Sequence, residues 1–217
     1  MKDFQVQTLF VSATGTNVGK TYTMLQLIEG FAKKGVRVGV FKPIETGVQG
    51  DPRDAALLLQ SCQKTNPKFK TLKPKEITAY TFALPAAPFC ADLHHSIRIE
   101  KIIEKYDQLS SLCDLLLIEG AGGLMVPITK DFMMIDLIKH LQAKLLLVTS
   151  SRLGCINETL LSMEALRSRN ISFDWCVNIH QEKELFDTVS KPFYDAAFPS
   201  WWSIQADLNT FINSYLL

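Results

Sequence analysis

No apolar run in this sequence approaches the ~20 residues that a bilayer-spanning helix requires, which argues against an integral membrane protein. No sign of charge dominates either: 23 Lys and Arg stand against 22 Asp and Glu, a formal net charge of +1. The basic surplus that draws a chain onto nucleic acid or an anionic surface is missing, so neither nucleic acid nor membrane is expected as a partner. No C-x-x-C pair occurs, and the five cysteines (Cys62, Cys90, Cys113, Cys155, Cys176) are odd in number. They read as reduced thiols of a cytoplasmic protein. Four histidines at 94, 95, 140 and 180 show no metal-ligand spacing, and His94-His95 reads as a solvated pair rather than a zinc site. Residues 1–5 show no signal-peptide pattern and lead directly to a strand. Internal repeats and low-complexity tracts are absent as well.

What is present is a chain of 217 residues with 47% hydrophobic content, large enough for a substantial core and read as a single domain over residues 1–217. Short apolar, β-branched runs at residues 8–12, 36–41, 115–118, 145–149 and 173–177 have the composition of buried strands. Between them lie helical patterns: Met24, Leu25, Leu27, Ile28 and Phe31, then residues 55–60, 97–109, 131–141 and 156–169. Residues 182–190 and 207–216 read as two more helices, with a turn at 199–202 between them. Lys33-Lys34-Gly35 looks like a cationic last turn and a glycine stop. Residues 44–53 read as a turn-rich loop, 64–76 as a lysine-rich solvated loop, and 80–88 as an ordered loop. Trp201-Trp202 reads as packing against the last helix in preference to stacking on a ligand. Strands alternating with helices predict a mostly parallel sheet with helices on both faces, and Gly19-Lys20-Thr21, set between a strand and a helix, makes the expected α/β fold P-loop NTPase-like.

The chemistry gathers at the carboxyl ends of the predicted strands, where ligands bind in open parallel sheets. Ala13-Thr14-Gly15-Thr16-Asn17-Val18-Gly19-Lys20-Thr21 joins a strand to a helix, the setting in which a phosphate-binding loop is credible. Backbone N–H groups at the helix start, the Lys20 ammonium and the Thr21 hydroxyl suit the β- and γ-phosphates of a nucleotide and a magnesium ion. The glycine expected five positions before Gly19 is replaced by Thr14, so the loop is a variant. Lys42 ends the second strand and reads as a site residue or as an exposed strand-end lysine. Glu119 ends the third, where it serves either as a carboxylate for the metal or as a turn cap. From spacing alone Asp54 reads as an N-cap, with oxygen ligation as the alternative. Gly120-Ala121-Gly122-Gly123 reads as backbone able to approach a bound group closely, with a mere flexible turn after the strand as the alternative. Asn178 stands at the end of a further strand.

Val18-Gly19-Lys20-Thr21, Lys42-Pro43, Glu119-Gly120-Ala121-Gly122-Gly123 and Leu153-Gly154-Cys155-Ile156-Asn157, in this order and at these approximate spacings, resemble the dethiobiotin synthetase family. The resemblance extends over about residues 8–178, and Tyr80-Thr81-Phe82 with Pro85 and Pro88 is similar to the family's substrate-side loop. It implies a magnesium- and ATP-dependent conversion of 7,8-diaminononanoate and CO2 to dethiobiotin, ADP and phosphate. It also implies a homodimer whose active sites use both subunits. Carried over residue by residue, Lys42 and Lys20 would be catalytic. Asn17, Val18, Gly19, Lys20, Thr21, Tyr22, Asp54, Glu119, Gly120, Ala121, Gly122 and Asn178 would bind the nucleotide, Asn178 at its base. Thr21, Asp54 and Glu119 would hold magnesium. Thr16, Thr46, Pro85, Gly154, Cys155, Ile156 and Asn157 would bind the substrate. The last four start a helix whose free N–H groups suit a carboxylate and which the family supplies from the partner chain.

The sequence departs from the family pattern at Asn17, where better-known members have Glu, and at Ala13, where they have Gly. The family's proline-containing segment after Asn178 is not recognisable, which leaves base specificity open. Tyr194 is a weak match for the partner-chain tyrosine. Two other readings remain: another P-loop small-molecule ligase, or a partition-type ATPase switch. The first usually brings a glutaminase domain, for which 217 residues leave no room. The second carries a signature lysine five positions before the loop lysine, where this chain has Gly15.

Overall fold

The computed structural model describes residues 7–180 and 182–217. In chain order it contains β1 (Gln7–Ala13), α1 (Lys20–Lys33), β2 (Val38–Phe41), β3 (Ile44–Thr46), α2 (Arg53–Gln63), β4 (Tyr80–Phe82), α3 (Pro88–Ala91), α4 (Ile99–Ser110) and β5 (Leu115–Gly123). These are followed by β6 (Pro127–Thr129), β7 (Phe132–Met133), α5 (Met134–His140), β8 (Lys144–Ser150), α6 (Cys155–Arg167), β9 (Phe173–Asn178), α7 (Lys183–Val189), α8 (Lys191–Ala197) and α9 (Ile204–Tyr215). Five strands form one parallel sheet in the order β2-β5-β1-β8-β9, with helices on both faces. β1 lies at its centre, and Leu9, Phe10 and Val11 are sealed from water because both faces of the sheet are covered. Fully burying each such side chain stabilises the fold by about 1.5–3 kcal/mol.

The five expected strands are all present, and several local readings are corrected. Residues 44–53 are not all loop: Ile44, Glu45 and Thr46 pair in parallel with Tyr80, Thr81 and Phe82, so β3 and β4 make a separate small sheet. Two three-residue strands are too short for periodicity to reveal, and only their pairing defines them. The helix expected from residue 131 begins at Met134, because Phe132–Met133 is taken up by an antiparallel pair with β6. The Glu-Gly-Ala-Gly-Gly run is not a turn after the strand but the end of β5 itself. Residues 64–76 are anchored rather than freely solvated: Asn66 is buried and donates to Val38 O at 2.9 Å, and Phe69 is fully buried. α8 was not expected at all. Trp202 does stack on Phe211 of α9, with ring centroids 4.9 Å apart. Trp201 turns instead to a second aromatic cluster, against Phe186 and Tyr194.

A cavity between two buried lysines

The loop between β1 and α1 is shaped by Gly19, which caps α1 in the left-handed region at φ 99°. A Cβ there would collide with the Asn178 amide, so both the backbone angle and the space demand glycine. Asn17 also has positive φ, 60°, which Asn tolerates better than most residues. Among the described residues no side chain caps α1, and no acid stands in its first turn. Its leading N–H groups therefore present an uncompensated positive end to the cavity, as an anion site requires.

Three segments meet around a cavity of about 410 Å³. The loop contributes Thr16, Asn17, Gly19, Lys20 and Thr21; the stretch from β2 to α2 contributes Lys42, Thr46 and Asp54; the end of β5 contributes Glu119, Ala121 and Gly122. Lys42 follows β2, which pairs with β5 so that Phe41 lies beside Ile118. That register brings Lys42 Nζ to 2.6 Å from Glu119 Oε1, and the same nitrogen lies 3.3 Å from Asp54 Oδ2. Thr21 Oγ1 donates to the same Glu119 oxygen at 3.0 Å. Glu119 Oε2 is buried and has no hydrogen-bond partner among the described residues. Among the described residues Lys20 Nζ donates to a neutral acceptor, the Gly15 carbonyl at 2.9 Å, and makes no ion pair.

The two lysines consequently titrate in opposite directions. Burial, then repulsion from Lys42, brings Lys20 down to about 8, against the pull of Glu119 and Asp54. Burial also works against the charge of Lys42, but attraction to Glu119 and Asp54 outweighs it and holds this lysine above its ordinary value. Such a site suits an anion: among the described residues one buried ammonium forms no ion pair and another is shared between two carboxylates.

Other expected residues lie elsewhere. The Val18 side chain belongs to the core and Tyr22 is exposed. Gly120 faces the ring of Phe10, and a Cβ on Gly123 would press on the carbonyls of Ala13 and Thr14. A Cβ on either glycine would thus meet the protein's own side chain or loop backbone. Asn178 is fully buried, donates to Val18 O at 2.9 Å and accepts from Gln205 Nε2 at 2.7 Å. It braces the loop and is not part of the cavity wall. Pro85 packs against Gly47, just past Thr46, because the β3–β4 pair joins their segments. Gly154, Cys155, Ile156 and Asn157 are absent from this cavity wall. Cys155 is buried in the second aromatic cluster, while Leu153, just before α6, and Leu160 and Leu161 within it are exposed. Tyr194 is corrected outright: it is fully buried and shares a 3.0 Å hydrogen bond with Thr159, out of reach of any partner's ligand.

Asp54 is also corrected as an N-cap. Pro52 occupies that position, Asp54 lies in the first turn, and the helix-end N–H groups of Asp54 and Ala55 are taken by Glu45. Glu45 and Ile44 line the cavity too, and sequence reasoning passed over both. A Glu flanked by Ile44 and Thr46 directly after Lys42-Pro43 was the available signal, masked by reading the segment as loop.

A parallel sheet with β1 at its centre and a Gly-Lys-Thr loop leading into an uncapped helix defines a P-loop nucleotide-binding protein. Solved structures agree on the fold: the MinC:MinD cell division complex of Aquifex aeolicus matches with a TM-score of 0.53 at 19% identity, covering 96% of this chain and 86% of that one. A plasmid partition protein from Borrelia burgdorferi matches with a TM-score of 0.53 at 9% identity, covering 98% of each chain. A family model described as an AAA domain matches residues 7–184. Among curated relatives, the ATP-dependent dethiobiotin synthetase BioD of Sulfurovum sp. is 63% identical over 96% of this chain and 100% of its own length. The protein of the same name from Wolinella succinogenes is 42% identical over 86% of this chain and 87% of its own. The chain belongs to the ATP-dependent dethiobiotin synthetase family.

Proposed function

We infer that this chain, as one domain over its 217 residues, makes dethiobiotin from 7,8-diaminononanoate, CO2 and ATP in biotin biosynthesis. The observation behind the residue roles is the placement of Lys20 and Lys42 on one cavity, joined through Glu119. One substrate amine takes up CO2 and loses a proton to become a carbamate. The carbamate oxygen attacks the γ-phosphorus of ATP and ADP leaves; the second amine then attacks the carbamate carbon, closes the cyclic urea and expels phosphate. Lys42 would hold the carbamate, and Lys20 with the first N–H groups of α1 would hold the phosphates. Preorganised charge of this kind is the main lever in phosphoryl transfer. Thr16 and Thr46 stand on the same wall to receive the diamine, with Pro85 behind them.

Thr21, Asp54 and Glu119 form an all-oxygen set that fits Mg2+, and the unpartnered Glu119 Oε2 is where a ligand atom is expected. Among the described residues no three His, Cys, Asp or Glu side chains are grouped to hold a metal alone. That suits magnesium, which is commonly held by one or two carboxylates together with substrate phosphates. Bound there, the ion would neutralise phosphate charge.

The carboxylate tail of the substrate is assigned to Gly154, Cys155, Ile156 and Asn157 of a second subunit. Two features support a homodimer: these residues lie off the cavity within one chain, and Leu153, Leu160 and Leu161 near them are exposed. We place the enzyme in the cytoplasm; among the described residues no helix is long and apolar enough to cross a membrane.

The test is to incubate the protein with the diamine, bicarbonate and Mg-ATP, following ADP and the mass of the cyclic urea. Absence of substrate-dependent ADP release would sink this function. Repeating the assay with GTP and CTP addresses the base, given that Asn178 is engaged internally. Sedimentation tests the dimer, and an active monomer would contradict the shared site.

A further inference from the structure

Glu45 lies in the middle of β3 with only 6% of its surface exposed, yet among the described residues no lysine or arginine forms an ion pair with it. Its partners are backbone: Oε1 accepts from Asp54 N at 3.0 Å and Oε2 from Ala55 N at 2.9 Å. α2 needs such help, because Pro52 at its N-cap has no side-chain acceptor and the first N–H groups of a helix have no partner within it. A carboxylate in that place also faces the positive end of the helix dipole. The tie has a geometric consequence. It joins the strand that follows Lys42 to the helix turn that holds Asp54, and those two side chains meet at 3.3 Å. The Asp54 side chain is 40% exposed, and its ion pair with Lys42 is the contact that orients it among the described residues, so its backbone largely decides where the carboxylate stands.

We propose that Glu45 is a positioning residue, clamping the start of α2 so that the Asp54 carboxylate is held on the metal and phosphate side of the cavity. The proposal rests on the assignment of Asp54 to magnesium. Glu45 is not itself assigned as a ligand: both its oxygens are spent on N–H groups, and turning one to a metal would strand a helix-end donor.

The experiment is calorimetric titration of the full chain with ADP, with and without Mg2+, so that the readout is binding and not turnover. Glu45→Gln keeps one acceptor and points an amide donor at the other N–H. It is expected to leave metal-free ADP affinity within about twofold and to weaken the Mg2+-dependent gain by about tenfold, the lower end for loss of a group that orients a metal ligand. Asp54→Asn should lower the same gain, and the double variant should be no worse than Asp54→Asn alone. Additive losses would make Glu45 an independent contributor and overturn the proposal. So would an unchanged Mg2+ gain in Glu45→Gln. If Asp54→Asn leaves the gain intact, the metal assignment itself fails and takes this proposal with it, an outcome distinct from failure of Glu45 alone.

A rescue separates clamp from cap and covers poor folding of the single variant. Pro52→Ser added to Glu45→Gln gives α2 a local cap and should restore the melting temperature. A persisting Mg2+ deficit in that double variant supports the clamp. Recovery of both stability and Mg2+ response would reduce Glu45 to a helix cap and overturn it.

Discussion

The loop between β1 and α1 and the segment between β2 and α2 each deliver a lysine to the same cavity, in opposite electrostatic surroundings. Lys20 is buried with a carbonyl for company, and its pKa falls to about 8. Lys42 is buried between Glu119 and Asp54, and its pKa rises. A buried cation without a counter-charge gains most from an incoming anion, which is the task of a phosphate cradle. A cation already paired can exchange one carboxylate for another at little net change in charge. The second surroundings suit a residue that receives a carbamate, itself a carboxylate-like group. On the proposed roles, the difference between the two lysines would be a division of labour set by their neighbours.

Four outcomes would break or sharpen that contrast. The largest is expected from Lys42→Gln, which should lower turnover by at least ~10²-fold, the scale of losing one charge-stabilising donor, with nucleotide affinity little changed. Near-normal turnover in steady-state assays would remove Lys42 from the mechanism. Next comes pH. Free Lys20 loses its proton near pH 8, and bound phosphate would raise its pKa, so the complex holds more protons than the free protein around and above that pH. ADP affinity should accordingly fall as pH rises through 8, by no more than about tenfold per unit, with proton uptake on binding. Titration in buffers of differing ionisation enthalpy measures the uptake; proton release would refute the assignment.

Gly19→Ala should cost roughly 1–2 kcal/mol from its left-handed φ alone, and more from the overlap with Asn178. Chemical denaturation reads the stability loss, and weaker ADP binding should accompany it. The smallest effect belongs to a residue outside the cavity. Tyr194→Phe removes a hydroxyl bonded to Thr159 and should lower stability by about 1 kcal/mol while leaving ADP affinity unchanged. A nucleotide effect in that variant would show that the two regions are not separable.

The parts legible in the sequence share a physical cause. The strands of the main sheet are covered on both faces, so each must be a continuous apolar run that stands out against its neighbours. Gly19, Lys20 and Thr21 are legible because a tight turn, a full charge and a hydroxyl in fixed succession leave few other uses. β3, β4 and β7 were not, since strands of two or three residues have no period and exist through their partners. Asp54 looked like a cap because a carboxylate before a helix often is one; the real acceptor came from Glu45, nine positions earlier. Tyr194 was misplaced for the same reason: residue type suggested a hydroxyl for a ligand, while packing enclosed it.

By itself, then, the sequence determined the sheet, the phosphate loop and the set of charged residues gathered at strand ends. It could do so because chain direction in a parallel sheet sends every strand's carboxyl end to one edge. Only the tertiary structure decided which charges meet. The β2–β5 register sets Lys42 on Glu119, and the short β3 strand ties Glu45 to α2. Contacts between residues 77 positions apart, such as Lys42 and Glu119, depend on register and burial, which no local run of residues encodes.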